Sequence, residues 1–170
     1  SLAAAKYVVD RLKLAGHDTQ LVDFLELPLP FMNSAAEPLS LKKVYPDATV
    51  QQWSNIADAA DGFLFVVPEY DHGYPAVLIN AIQWLSPEFD GKACGLVGVS
   101  SGPVGGARVI EHLRPIAGAM GMYDVRQTVM FRSIKDVFNQ ETGELVDQSY
   151  ERQVDGLVAA VTAAAAKLRA

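Results

Sequence analysis

Two runs of this chain constrain its fold more than any other feature. Phe63 to Val67 (FLFVV) and Ala93 to Val99 (ACGLVGV) are apolar without a break. A strand with no polar residue is covered on both faces, as central strands of parallel sheets are. Each run leads into a loop rich in Pro or Gly, and each loop leads into a helix. Pro68 closes the first run, and Pro75 suits the first turn of a helix. That helix buries Val77, Leu78, Ala81, Ile82 and Leu85. After Val99, SSGPVGG turns into a helix with Val109, Leu113, Ile116 and Met120 on one side and Pro115 as an expected kink.

The rest of the chain continues the alternation. Leu2, Ala5, Val8, Val9 and Leu12 recur at helical spacing, with Gly16 as a stop. Thr19 to Phe24 (TQLVDF) reads as a short strand. Leu25 to Asp47 is a long connection punctuated by Pro28, Pro30, Pro38 and Pro46. Thr49 and Gln52 have the spacing of a capping box, ahead of a helix with Val50, Trp53, Ile56, Ala57 and Ala60 on one face. Val125 to Phe131 is the last strand, and Val154 to Leu168 lies in a final helix. Alternating helices and apolar strands predict an α/β fold, a parallel sheet sandwiched between two helical layers. The pattern opens on a helix at Ser1. One further strand ahead of it, apparently missing from this chain, completes a flavodoxin-like three-layer sandwich. Residues 1–170 read as a single domain.

Composition removes several classes of function. Lys and Arg total 14 against 20 Asp and Glu, a net charge of −6, and no basic cluster offers a nucleic-acid surface. The single cysteine, Cys94, excludes an internal disulfide framework and reads as a small buried hydrophobe. No uncharged apolar run approaches the ~20 residues that span a bilayer, and the N-terminus lacks signal-peptide organisation. No membrane partner is therefore expected, and the cytoplasm is the expected location.

Ligands of open parallel sheets bind beyond the carboxyl ends of the strands. Two loops lie there. Pro68-Glu69-Tyr70-Asp71-His72-Gly73 has its backbone restricted by proline and, at Gly73, freed by glycine. It offers fixed N–H and C=O groups to the polar edge of a planar ligand, and Tyr70 and Tyr74 offer flat apolar contact. Ser100-Ser101-Gly102-Pro103-Val104-Gly105-Gly106 allows a ligand close to its backbone at a helix start. It matches neither a P-loop nor GxGxxG. An ordinary connection and a tight turn are the plainer readings of the two loops. His72 has no nucleophile arranged around it, and Glu69 with Asp71 lacks a third metal ligand. Arg108 falls in the first turn of a helix, where a cation is disfavoured. It calls for a partner: an acidic residue, a neighbouring subunit or an anionic ligand. Trp84 and Ile110 sit beside the stripes that face the sheet, which predicts exposed apolar surface and a subunit contact.

Val66 to Lys92 (VVPEYDHGYPAVLINAIQWLSPEFDGK) and Val97 to Met122 (VGVSSGPVGGARVIEHLRPIAGAMGM) resemble the NAD(P)H-dependent FMN reductase family. The first carries a PEYN-like loop and the NAI-WL segment, the second a Ser-x-Gly…Gly-Gly-x-Arg pattern. Leu21 to Phe31 is similar to the family's loop after its second strand. Two departures stand out. The first strand and its phosphate loop have no counterpart after Ser1, and Asp71-His72 stands where Asn and a small residue are common. The resemblance implies FMN bound against Pro68, Glu69, Tyr70, Asp71, His72, Gly73, Ser100, Ser101, Gly102, Gly105 and Gly106. It also implies NADPH or NADH as hydride donor, a small-molecule electron acceptor, and a homodimer or homotetramer. No dedicated acid–base pair is required, since the cofactor carries the chemistry. An FMN-binding electron carrier and a non-enzymatic interaction protein of the same fold are the other readings.

Overall fold

The computed structural model describes residues 1–169. Three parallel strands, β1 (Gly62–Pro68), β2 (Ala93–Val99) and β3 (Tyr123–Phe131), pair in the order β1-β2-β3. β1 and β2 run in register from Gly62 opposite Ala93 to Pro68 opposite Val99. The helices are α1 (Leu2–Leu14), α2 (Ala48–Ala59), α3 (Ala76–Trp84), α4 (Ala107–Ala119), the short α5 (Ile134–Val137) and α6 (Glu151–Leu168). α4 continues through Pro115.

Every residue of β2 is buried, and strand alternation divides its side chains between two cores. Cys94 and Leu96 join Trp53, Ile82, Phe89, Val109 and Leu113 under α2, α3 and α4. Ala93, Val97 and Val99 join Val8, Val129, Leu157 and Val161 under α1 and α6. Burial first of all pushes the Cys94 thiol up to about 12, so it stays protonated and inert.

Thr19 to Phe24 forms no strand. A strand needs a ladder partner for its backbone groups, and among the described residues nothing pairs with the outer edge of β1. That edge faces a groove of about 990 Å³, bordered by α1, by the 18–25 segment and by Phe63 to Val67. The side chains of β1 are accordingly half-buried where those of β2 are sealed.

Helix α2 starts at Ala48, capped by Asp47, whose carboxylate accepts from the N–H groups of Thr49 and Val50. The expected capping box at Thr49 gives way because Asp47 is the stronger cap two residues earlier. Gly16 adopts a left-handed φ of +86° just past α1, as a helix stop should. His17, just beyond it, shares a 3.1 Å hydrogen bond with Thr162 of α6.

The expected exposure of Trp84 and Ile110 is also corrected. Both are buried: Ile110 packs into the core beneath α2, α3 and α4, and Trp84 is enclosed because the long connection folds back over α3. Trp84 Nε1 and Asn80 Nδ2 donate to the carbonyl of Pro30, and Asn80 Oδ1 accepts from Met32 N–H. Farther along, fully buried Glu88 accepts from Tyr45 Oη, Ser54 Oγ and Ser86 N–H. These bonds satisfy a carboxylate that burial alone would penalise severely, and they hold the end of the connection against the core. The connection keeps other apolar side chains outside: Leu25, Phe31, Leu39 and Val44.

Leu157 is fully buried where α6 meets β2. Leu157→Ala is expected to lower unfolding free energy by about 2–5 kcal/mol. Val146→Ala, at an exposed position, should stay within about 0.5 kcal/mol. Urea denaturation of both variants checks the contrast.

Candidate functional site

The register of β1 on β2 places Pro68 opposite Val99, so the loops beginning at Glu69 and Ser100 leave the sheet side by side. Glu69 N–H donates to Val99 O at 2.8 Å, carrying the ladder one residue past the strand. Tyr70 and Gly73 then exchange two backbone hydrogen bonds, at 3.0 and 2.8 Å. Between them Asp71 and His72 have φ of +47° and +67°. Two successive left-handed residues inside such a pair make a type I′ turn. The permissive residue of this loop is therefore not Gly73, whose φ is ordinary. Asp71 takes the left-handed conformation more readily than most side chains do, and His72 is strained there. The side chains of Tyr70, Asp71 and His72 are exposed.

The second loop is stitched by Ser100. Its hydroxyl donates to Gly102 O and accepts from Gly105 N–H, each at 2.9 Å. Gly105 and Gly106 are buried and left-handed, at φ +68° and +81°. A Cβ on Gly105 would lie 2.8 Å from Met130 O of β3, and one on Gly106 would lie 2.7 Å from Val99 N of β2. The same closeness affects Gly98, where a Cβ would meet the carbonyls of Gly105 and Gly106 at 2.7 Å. Clearance for a ligand ring, expected of Gly105 and Gly106, is not what demands glycine at these positions. They let the loop lie flat on the strand ends. Gly102 has open space around it, and Ser101 and Pro103 are exposed.

A third segment joins them. Ser100 N–H donates to Phe131 O, Ser133 N–H to Gly102 O and Ile134 N–H to Ser100 O. Arg132 and Ser133 were missed as neighbours of the site. The signal was available: Phe131 ends a parallel strand, and every such strand delivers its following loop to this same edge. The N–H groups of Asp71, His72, Tyr74, Ser101, Gly102 and Val104 make no hydrogen bond among the described residues. Tyr70 also lines the groove along β1, together with Leu21, Leu25, Pro75 and Val77.

Glu69 and Arg108 connect the two predicted loops. The Glu69 carboxylate accepts from Arg108 N–H at 3.1 Å and from its guanidinium at 2.5 Å. An acidic side chain is thus the partner that Arg108 requires. Burial works to raise the Glu69 pKa, but the Arg108 side chain and the N–H groups of Arg108 and Val109 outweigh it. They hold the carboxyl below its ordinary value of 4.5. His72 has no hydrogen-bonding partner among the described residues, and no cluster of His, Cys, Asp and Glu there could hold a metal ion. The arrangement presents unpartnered backbone N–H groups side by side at one edge of the sheet, and among the described residues it brings together no acid–base or nucleophilic pair.

Two outcomes are expected. Gly106→Ala should destabilise the fold by about 1–3 kcal/mol, through strain and a backbone clash, while Gly102→Ala stays near neutral. Denaturation midpoints of the two variants test this. The Glu69 contribution to stability should be complete above the ordinary carboxylate range. It should fall away as pH drops below 4.5 through the lowered folded value. Comparing the acid-unfolding profile with that of Glu69→Gln tests this: the variant should lack that component.

The sequence model of the NADPH-dependent FMN reductases matches residues 1–136. An NAD(P)H-dependent FMN reductase of Schizosaccharomyces pombe is 36% identical over 105 residues, 62% of this chain and 52% of that protein. Subunit 2 of an NADH-dependent flavin reductase of Lactobacillus johnsonii is 30% identical over 128 residues, 69% of this chain and 70% of that one. A quinone reductase of Escherichia coli is 38% identical over 106 residues, 59% of this chain and 56% of that one. The chain thus spans about half the length of several curated relatives that it matches. The fold is similar to that of FerB, a flavoenzyme NAD(P)H:(acceptor) oxidoreductase from Paracoccus denitrificans. The TM-score is 0.78 at 21% identity, covering 98% of this chain and 91% of that one. Since the family match includes β1, β2, β3 and both loops at their ends, the chain belongs to the NADPH-dependent FMN reductase family.

Proposed function

We propose that the chain is the flavin-binding core of an NAD(P)H-dependent FMN reductase that passes electrons to a small-molecule acceptor such as a flavin or quinone. The observation that carries this reading is the pair of adjoining loops at the carboxyl ends of β1 and β2, with N–H groups that the fold leaves without partners. Such groups suit the carbonyl and ring-nitrogen edge of an isoalloxazine. Backbone of Pro68 to Gly73 would hold one edge of the ring. Backbone of Ser100 to Gly106 would hold the polar edge and the other side, and exposed Tyr70 supplies flat apolar contact. Glu69 contributes main chain only, because its carboxylate is engaged by Arg108. FMN, when bound, supplies hydride acceptance and electron release; the protein binds it, orients it and limits water around it.

The groove along β1 suits one further parallel apolar strand, followed by a phosphate-holding turn into α1. The large apolar side chains outside the core (Leu25, Phe31, Leu39 and Val44) suit a contact between copies of the chain, as a homodimer or homotetramer. No helix among the described residues is long and apolar enough to cross a membrane, and the cytoplasm is the proposed location.

Anaerobic mixing of the flavin-loaded protein with NADPH or NADH tests the reading. Rapid bleaching of flavin absorbance is expected; an FMN-binding electron carrier shows none. The 170-residue chain should bind FMN and riboflavin with similar affinity. Adding a strand and phosphate turn ahead of Ser1 should favour FMN, and a hundredfold gain corresponds to about 2.7 kcal/mol. A large FMN preference in the 170-residue chain itself counts against a phosphate site in the added turn. Light scattering at micromolar concentration should give at least twice the 18.4 kDa of one chain.

A further inference from the structure

Helix α4 starts on Gly106, whose left-handed backbone offers no side chain to its first N–H groups. Such groups need an acceptor. The acceptor comes from the other loop: the Glu69 carboxylate takes Arg108 N–H and the Arg108 guanidinium. The Glu69 side chain is only 7% exposed, whereas that of Arg108 is 42% exposed. Glu69 N–H is simultaneously fixed to Val99 O at the end of β2. One residue therefore joins the end of β1, the end of β2 and the start of α4. An arginine in the first turn of a helix opposes the helix dipole, so its placement makes sense as the second half of this link.

We infer that Glu69 and Arg108 form a positioning pair, which sets the spacing between the two ligand loops and through it the affinity for flavin, without the Glu69 carboxylate touching the ligand. This rests on the flavin-binding reading. With its two oxygens occupied by Arg108, the carboxylate has turned from the open side of the loop toward α4. The ligand side is left to the backbone of the type I′ turn and of the Ser100 loop. Loosening the pair frees the first loop from α4 while the Tyr70–Gly73 bonds inside it remain possible.

A double-mutant cycle tests the inference. Glu69→Gln and Arg108→Gln should each weaken FMN binding about tenfold, and the double variant should be no weaker than either single one. Arg108→Lys should recover part of the loss. Affinity losses that multiply in the double variant overturn the inference, since Glu69 then acts on the ligand independently. Unchanged affinity with a lowered thermal midpoint overturns it as well, leaving the pair a structural role only. Amide exchange in the flavin-free protein provides a second arm. Arg108→Gln, a change on α4, should speed exchange at Tyr70 and Gly73 in the first loop. Unaltered exchange at these two positions overturns the coupling. Failure of the unmutated chain to bind FMN overturns the proposed function, and the exchange arm still decides whether the two loops are coupled.

Discussion

The structure depends on the complete burial of β2. A strand with no exposed residue must be hydrogen-bonded along both edges and covered on both faces. Pairing with β1 and β3 meets the first demand. The second forces the helices into two layers, and the alternation of Cys94 and Leu96 with Ala93, Val97 and Val99 assigns each layer its share of core. Because all three strands run in one direction, burial of β2 also brings three strand ends, and the loops that follow them, to a single edge. The position of the site is thus a consequence of sheet packing before any site residue is considered.

What the sequence revealed follows from the same physics. β2 and the stripes of α4 and α6 were legible because a buried element writes its burial into its own residues; β1 was legible as a strand, but it lies half-buried at the sheet edge rather than covered on both faces, and Val77 of the α3 stripe is exposed. Thr19 to Phe24 misled because its composition is strand-like while no strand among the described residues pairs with it; a strand is a property of a pair, and local pattern records only one member. Trp84 misled for the converse reason. Its own helix leaves it beside the core stripe, and only the fold of a segment some fifty residues earlier, through Pro30, encloses it.

In the site, the loops were legible but the reasons for their residues were not. Glycines in a strand-end loop suggest room for a ligand, whereas Gly105 and Gly106 answer to Met130, Val99 and Gly98 beneath them. Glu69 was legible as a member of the first loop, whereas the partner of its oxygens, Arg108 beyond the second loop, was not. In both cases the deciding partner is distant in sequence and belongs to an adjacent strand or helix, so no spacing rule can recover it.

The two loops also differ in how they are held, and the difference bears on what each can do for a ligand. The Ser100 loop is pinned by its own hydroxyl, by two left-handed glycines and by Phe131 and Ser133 of the neighbouring connection. It is fixed from beneath and has little freedom to adapt. The Tyr70 turn is held by one reciprocal backbone pair and by what lies on either side of it, and it carries left-handed Asp71 and His72 at some conformational cost. Left-handed backbone at a non-glycine residue persists only where surrounding structure maintains it. That support comes from Val99 through the Glu69 N–H and from α4 through the Glu69 carboxylate. The rigid loop therefore serves as the reference, and the strained loop is held to it through Glu69, the residue at which its path leaves β1.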